Sequence, residues 1–310
     1  MMKRHHAPPR PARRGLILPL ALGVGLLVSS CAANDPYAKS VGLTPAEKEI
    51  QPENNAVAAA ALLRVALATR AAGDYASAIN VLKRALTIAP QDGNILLELG
   101  ESLSAVRAYN EAHEILIRAV ELKPADTRAL RGLANTLVAL SEPALAVTRY
   151  NEALALKPEA TTYNGLGVAL DALNDPKGAE AAYRAGLALD ERSNSIIGNL
   201  GLSLALQGKT AEAAKLMARE LRLGRSTPRL RHNLAMVYGL NGQMNDSRTI
   251  LRIDLDERAV MNNIAYYEIL RGLDPARRRQ AILAKRSIVA STEPLPPLTV
   301  PAPADADGVK

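Results

Sequence analysis

Three stretches decide the fold: YASAINVLKRALTIAP at 75–90, YNEAHEILIRAVELKP at 109–124 and EPALAVTRYNEALALKP at 142–158. They align without gaps at a period of 34 residues. Ala78, Ala112 and Ala146 share one register, as do Ala85, Ala119 and Ala153, and so do Pro90, Pro124 and Pro158. Within each stretch apolar residues recur every three or four positions, the pattern of an amphipathic helix. Small residues at fixed offsets let two helix backbones approach closely, and Leu82, Leu116 and Tyr150 supply the bulk that fills the adjoining hole. Proline lacks an N–H and drives the residue before it out of the helical region, so it closes each helix. A period of this length with these features predicts an all-α stack of helical hairpins.

Beyond residue 158 the pattern loses one residue and then returns to period 34. YNGLGVALDAL, IGNLGLSLALQG and RHNLAMVYGLNG read as the first helices of three further units, with Gly167, Gly201 and Ala235 matching the small Ala66, Gly100 and Ala134. Their second helices start near Ala179, Ala213 and Ser247. Gly186 keeps the next small position, but Glu220 and Asp254 do not, and the closing proline is lost. The pattern resembles the tetratricopeptide repeat, and the resemblance implies a superhelical solenoid of about six helix hairpins.

The boundaries follow: a leader at 1–30, a flexible tether at 31–55, the solenoid at 56–257, capping helices at 258–290 and a Pro-rich disordered tail at 291–310. RAVMNNIAYYEILRG reads as a seventh first-type helix with Ala265 at the small position, and Asp274-Pro275 starts a further helix. These two helices are expected to cap the stack. The tail holds five prolines in twenty residues and too few core formers to fold.

Cys31 is the single cysteine, and what precedes it explains it. A basic start (Lys3, Arg4, Arg10, Arg13, Arg14) leads into the apolar run GLILPLALGVGLLV and two serines, the anatomy of a secretory signal. The run is too short for a membrane span, which takes about 20 apolar residues. LVSSC resembles a bacterial lipobox, which makes Cys31 the lipidated N-terminus of the processed chain. The alternative is a plain signal cut nearby, which leaves an unpaired thiol in an oxidising compartment. Ala32 favours export to the outer membrane, again by resemblance to lipoproteins.

Processing changes the charge argument. The full chain is +7, but residues 1–30 hold five of the 38 basic residues and none of the 31 acidic ones, so 33 face 31 afterwards, a balance of +2. With no Phe or Trp and no basic stripe interleaved with aromatics, the composition speaks against nucleic-acid binding. No cofactor, metal or catalytic constellation is expected. The four histidines include His5 and His6 of the leader, which leaves His113 and His232 far apart, and no phosphate-cradling loop or nucleophile elbow is present.

A solenoid of this kind offers a concave groove lined by its first helices, where peptides or partner proteins bind. The register places Arg64, Arg70, Asn94, Glu98, Glu101, Arg128, Arg131 and Asn135 there in the N-terminal half. Asn164, Asn199, Arg229, Asn233, Asn262 and Asn263 follow in the C-terminal half. Side-chain amides suit backbone recognition because each supplies donors and an acceptor. Arg131 with Asn135, and Arg229 with Asn233, resemble part of the clamp by which some repeat-family members hold a terminal carboxylate. Two uses are open to the asparagines: contact with a partner, or hydrogen bonds between neighbouring first helices. The same choice applies to Arg277, Arg278 and Arg279, which suit anionic headgroups or a solvated helix face, and to Tyr266 and Tyr267.

The lipobox-like stretch, six repeats, YNGLGVALDAL with GNLGLSLALQG and RHNLAMVYGLNGQ, and then NNIAYYEILRG together resemble the TadD-type lipoproteins of the Tad (Flp) pilus assembly system, over residues 31–272. That resemblance implies a non-enzymatic, periplasm-facing outer-membrane lipoprotein whose groove binds the outer-membrane secretin and helps its assembly. Alternatives in the same architecture are a type IV pilus pilotin, a barrel-assembly helper, or a scaffold for peptidoglycan enzymes.

Overall fold

The computed structural model describes residues 45–288, with side chains described over 54–282; Cys31, the leader and the Pro-rich tail lie outside the described residues. Fourteen α-helices make up the described part, and no strand occurs among the described residues. In chain order they are α1 (Pro45–Ala71), α2 (Tyr75–Ile88), α3 (Gly93–Ala105), α4 (Tyr109–Leu122), α5 (Thr127–Ala139), α6 (Pro143–Leu156) and α7 (Ala160–Ala172). There follow α8 (Pro176–Leu189), α9 (Asn194–Leu206), α10 (Thr210–Arg222), α11 (Pro228–Leu240), α12 (Met244–Leu251), α13 (Glu257–Gly272) and α14 (Pro275–Ile288). Odd-numbered helices up to α11 are the first helices of six hairpins, and α13 is a seventh of the same type. α1 begins at Pro45, inside the segment expected to be a tether.

The punctuation is set locally. Pro143, Pro176, Pro228 and Pro275 open their helices, where a missing N–H costs nothing. Asp74, Asp92, Asp126, Asp175 and Asp256 accept a backbone N–H of the first turn at 2.8–3.0 Å. Pro90, Pro124 and Pro158 each follow the residue that ends a second helix, namely Ala89, Lys123 and Lys157. Each hairpin turns through one left-handed residue: Gly73, Arg107, Ser141, Asn174, Gly208 and Gly242.

Packing follows the sequence register. Ala78, Ala112, Ala146, Ala179, Ala213 and Ser247 are fully buried where second helices cross first helices. One turn on, Leu82, Leu116, Tyr150, Tyr183, Met217 and Leu251 are buried knobs. Their holes are made by missing side chains: a Cβ on Gly100 would lie 2.5 Å from Leu116 Cγ, and one on Gly167 2.5 Å from Tyr183 Cε1. Each unit buries its apolar face against its neighbours, which is the logic of a solenoid.

The C-terminal end departs from the expected cap. Val260, Ile264, Tyr267 and Leu270 of α13 are buried as Leu230, Leu234, Val237 and Leu240 are in α11. Ala265, however, is exposed, and so are Met261 (60%) and Ile269 (44%) on the same stripe. In the five preceding first helices no residue at these three positions is exposed. α14 does not stack here because its sequence inverts the rule. Where other second helices place a small residue it carries Arg277, and where they place the knob it carries Ala281. The turn differs too, since Gly272, equivalent to Gly242, stays inside α13 without a left-handed φ.

α14 packs instead on the end of α13 and, two units back, on α9. The other sides of α9 are occupied by α7, α8, α10 and α11. α14 therefore runs back across the face formed by the first helices.

Candidate functional site

The first-helix face begins as an ion network. Glu98, 6% exposed on α3, pairs with Arg70 of α1 and, at 2.6 Å, with Arg128 of α5. Glu101 receives Arg70 Nη1 at 3.0 Å and Arg128 Nε at 2.8 Å. The hydrogen bond to Glu101 is the main reason the Arg128 guanidinium is held above its ordinary value. One unit on, Arg131 pairs with Glu159 at the start of α7, and Lys157 reaches the same carboxylate at 2.9 Å. Lys157 first, then Arg131, holds Glu159 below the usual carboxylate range. These charges tie α1, α3, α5 and α7 together in sequence order.

The middle of the face is a set of polar rungs. Ser104 and Thr136 hydroxyls meet at 3.0 Å between α3 and α5. Asn199 donates to Asn164 Oδ1 at 2.9 Å between α9 and α7. The fully buried Asp171 accepts Ser203 Oγ at 2.7 Å and Tyr183 OH at 2.9 Å. Asn135 accepts the Tyr150 hydroxyl at 2.6 Å, within its own hairpin, and burial pushes that phenol's pKa up. Buried polar groups are normally satisfied in this way, because leaving one unpaired costs its desolvation.

At the C-terminal end Asn263 donates to Ala259 O of its own helix at 2.8 Å. Asn233 lies across α9, where a Cβ on Gly198 would stand 3.0 Å from its Nδ2. Arg229 and Asn262 are exposed. Neither Asn233 nor Asn262 has a side-chain hydrogen bond among the described residues. His232 Nε2 stands 3.7 Å from Asp254 Oδ2, an ion pair when the imidazole is protonated. No group of three or more potential metal ligands occurs among the described residues, and no described helix is long and apolar enough to cross a membrane.

Tetratricopeptide-repeat family models match residues 69–135, 131–195 and 164–228, together just over half of the chain. The chain belongs to the tetratricopeptide-repeat family. Among solved structures it is similar to PilW, a type IV pilus biogenesis factor, at 17% identity over 73% of this chain and 98% of that one, with a TM-score of 0.58. It is also similar to a thermophilic tetratricopeptide-repeat protein of Thermus thermophilus, at 24% identity over 58% of this chain and 98% of that one, with a TM-score of 0.52. At such identities the likeness is one of fold. No curated protein matches the chain. Membership of this family makes the chain a scaffold for protein–protein interaction.

Within this repeat array the arginines and asparagines expected along the groove from Arg131 onward differ in what they do. Arg131, Asn135, Asn164, Asn199 and Asn263 bond inside the solenoid, Asn233 and Asn262 have no side-chain hydrogen bond among the described residues, and Arg229 is exposed. In the first of the two carboxylate-clamp pairs, Arg131 is neutralised by Glu159. Sequence reasoning missed Glu159, Asp171 and the apolar lining from Leu202 and Met236, which are 3% and 8% exposed. A signal existed for the first two: each sits one unit away from its partner, at separations of 28 and 32 residues.

Proposed function

We propose that this chain is a lipid-anchored outer-membrane scaffold of the Tad pilus machinery, which holds a segment of the outer-membrane secretin on its first-helix face. The observation that carries the binding part is the pair of amides, Asn233 and Asn262, without a hydrogen bond among the described residues on that face. The anchor rests on the lipobox-like LVSSC ending at Cys31, and the pilus assignment on the sequence resemblance over 31–272. PilW makes this a fold that pilus biogenesis uses. A single acyl chain binds membranes weakly and reversibly, but several chains on one cysteine hold a protein firmly. A tethered scaffold meets its partner at millimolar effective concentration, so a weak groove suffices for capture.

The test is Cys31→Ser at native expression level. The expected result is a folded protein absent from the outer membrane, with fewer secretin multimers and loss of pili. Normal multimers and pili from that variant would exclude the pilot role.

A further inference from the structure

The first-helix face changes character along the chain. The residue that follows the small crossing position is in turn Glu101, Asn135, Val168, Leu202, Met236 and Tyr266. The face starts charged and ends apolar. Over the apolar end lies α14, whose Ile282 is 1% exposed and belongs to the cluster that holds Leu202, Met236 and Leu240, with Leu206 and Tyr266 at its edge.

We infer that the apolar half of the groove is a seat for an amphipathic helix, and that α14 is its displaceable occupant in cis. A partner helix with a branched aliphatic anchor takes the Ile282 position and drives α14 out. The inference rests on the reading of this face as the binding surface.

α14 has the marks of a weak occupant. Ile282 is its single fully buried anchor among the described side chains. Arg279 Nη1 is buried without a hydrogen-bond partner, so docking desolvates a charged donor with nothing in return. The hinge end, by contrast, is secured. Arg278 donates to the carbonyls of Leu270, Arg271 and Leu273, all at 2.9 Å, and so caps α13. Asp274 caps α14 itself through Ala276 N and Arg277 N at 3.0 Å, so the helix keeps its start when it swings away. A helix secured at its start, with a single fully buried anchor among its described side chains, is built to let go. A ligand that finds its site occupied in cis binds more weakly by the fraction of open molecules. The better partner carries an aliphatic residue at the Ile282 position and a neutral one at the Arg279 position.

The test uses the full chain, a synthetic peptide of residues 274–288, and hydrogen exchange. In Ile282→Glu, α14 amides are expected to exchange at least about tenfold faster while α9–α12 stay protected, and the peptide to bind about tenfold more tightly than to the natural chain. The bound peptide should slow exchange in α9 and α11. Arg279→Met should act in the opposite sense, with slower exchange in α14 and weaker peptide binding. Ile282→Ala provides a milder variant with the same order of effects, should the glutamate prevent folding. Loss of protection across α9–α13 together in Ile282→Ala, or unchanged peptide affinity in both Ile282 variants, would overturn the inference. No pilus component enters this assay, so failure of the pilus reading leaves its outcome intact, and the reverse holds too.

Discussion

Glu220 and Asp254 occupy the position at which earlier units place Ala85, Ala119, Ala153 and Gly186. A carboxylate at a helix crossing needs a partner, and each has an arginine. Arg225 donates to Glu220 at 2.9 and 3.1 Å, and Arg231 Nε to Asp254 at 2.7 Å. Those hydrogen bonds are the largest cause that holds both carboxyls below their ordinary values. A folded pKa below the unfolded one contributes stability that is complete above the ordinary carboxylate value and is lost as pH falls through the folded value. The units built on α9–α12 are therefore expected to lose stability on acidification below about pH 4. Arg231→Met should cost about 2 kcal/mol at neutral pH, because it takes away both guanidinium hydrogen bonds of a largely buried carboxylate and leaves only His232 Nε2, 3.7 Å away, beside it. It should also flatten the acid limb of the stability–pH curve. Denaturant unfolding at a series of pH values decides it, and an unaltered acid limb would show that the pair is not the cause.

The hairpin turn shows how an element tolerates an awkward residue. All six turns need one left-handed residue, filled by glycine at 73, 208 and 242 and by Arg107, Ser141 and Asn174 elsewhere. Gly208 has φ +81° and nothing within 4 Å of where a Cβ would stand, so substitution there strains the backbone alone. Gly208→Ala is expected to cost about 1 kcal/mol, the penalty of an L-residue in that region. Asn174→Gly should stay within about 0.5 kcal/mol, since asparagine adopts the left-handed region readily. The shift of the urea midpoint at constant slope measures both. Equal effects would mean that loop contacts, not φ, set the turn.

Across the whole molecule stability is a sum over units and the interfaces between them. Ala112 is fully buried where α4 crosses α3, and the hairpin of α3 and α4 lies between α2 and α5. Ala112→Leu overpacks that crossing and should cost about 1–3 kcal/mol. The loss should spread to α2 and α5 while α9–α13 keep their protection, because no crossing there depends on it. Hydrogen exchange resolved by helix reports this directly. Uniform weakening along the chain would instead describe a single cooperative block.

The repeat, its register, its closing prolines and the knob positions were legible in the residues themselves. A solenoid buries each face only against its neighbours, so a pattern of local period carries nearly all the information its core needs. Even Arg277 and Ala281 announced that α14 breaks the pattern, although they do not say where it goes. The pairing of Asn164 with Asn199, of Arg131 with Glu159 and of Asp171 with Ser203 was decided by tertiary structure. The facing of first helices chooses among several polar side chains within reach of one another. The seat of α14 was decided there as well, through Ile282 and the cluster built from α9, α11 and α13. Sequence period reports which residues repeat, whereas the path of a helix that does not repeat depends on contacts between residues far apart in the chain, for which the linear pattern holds no information.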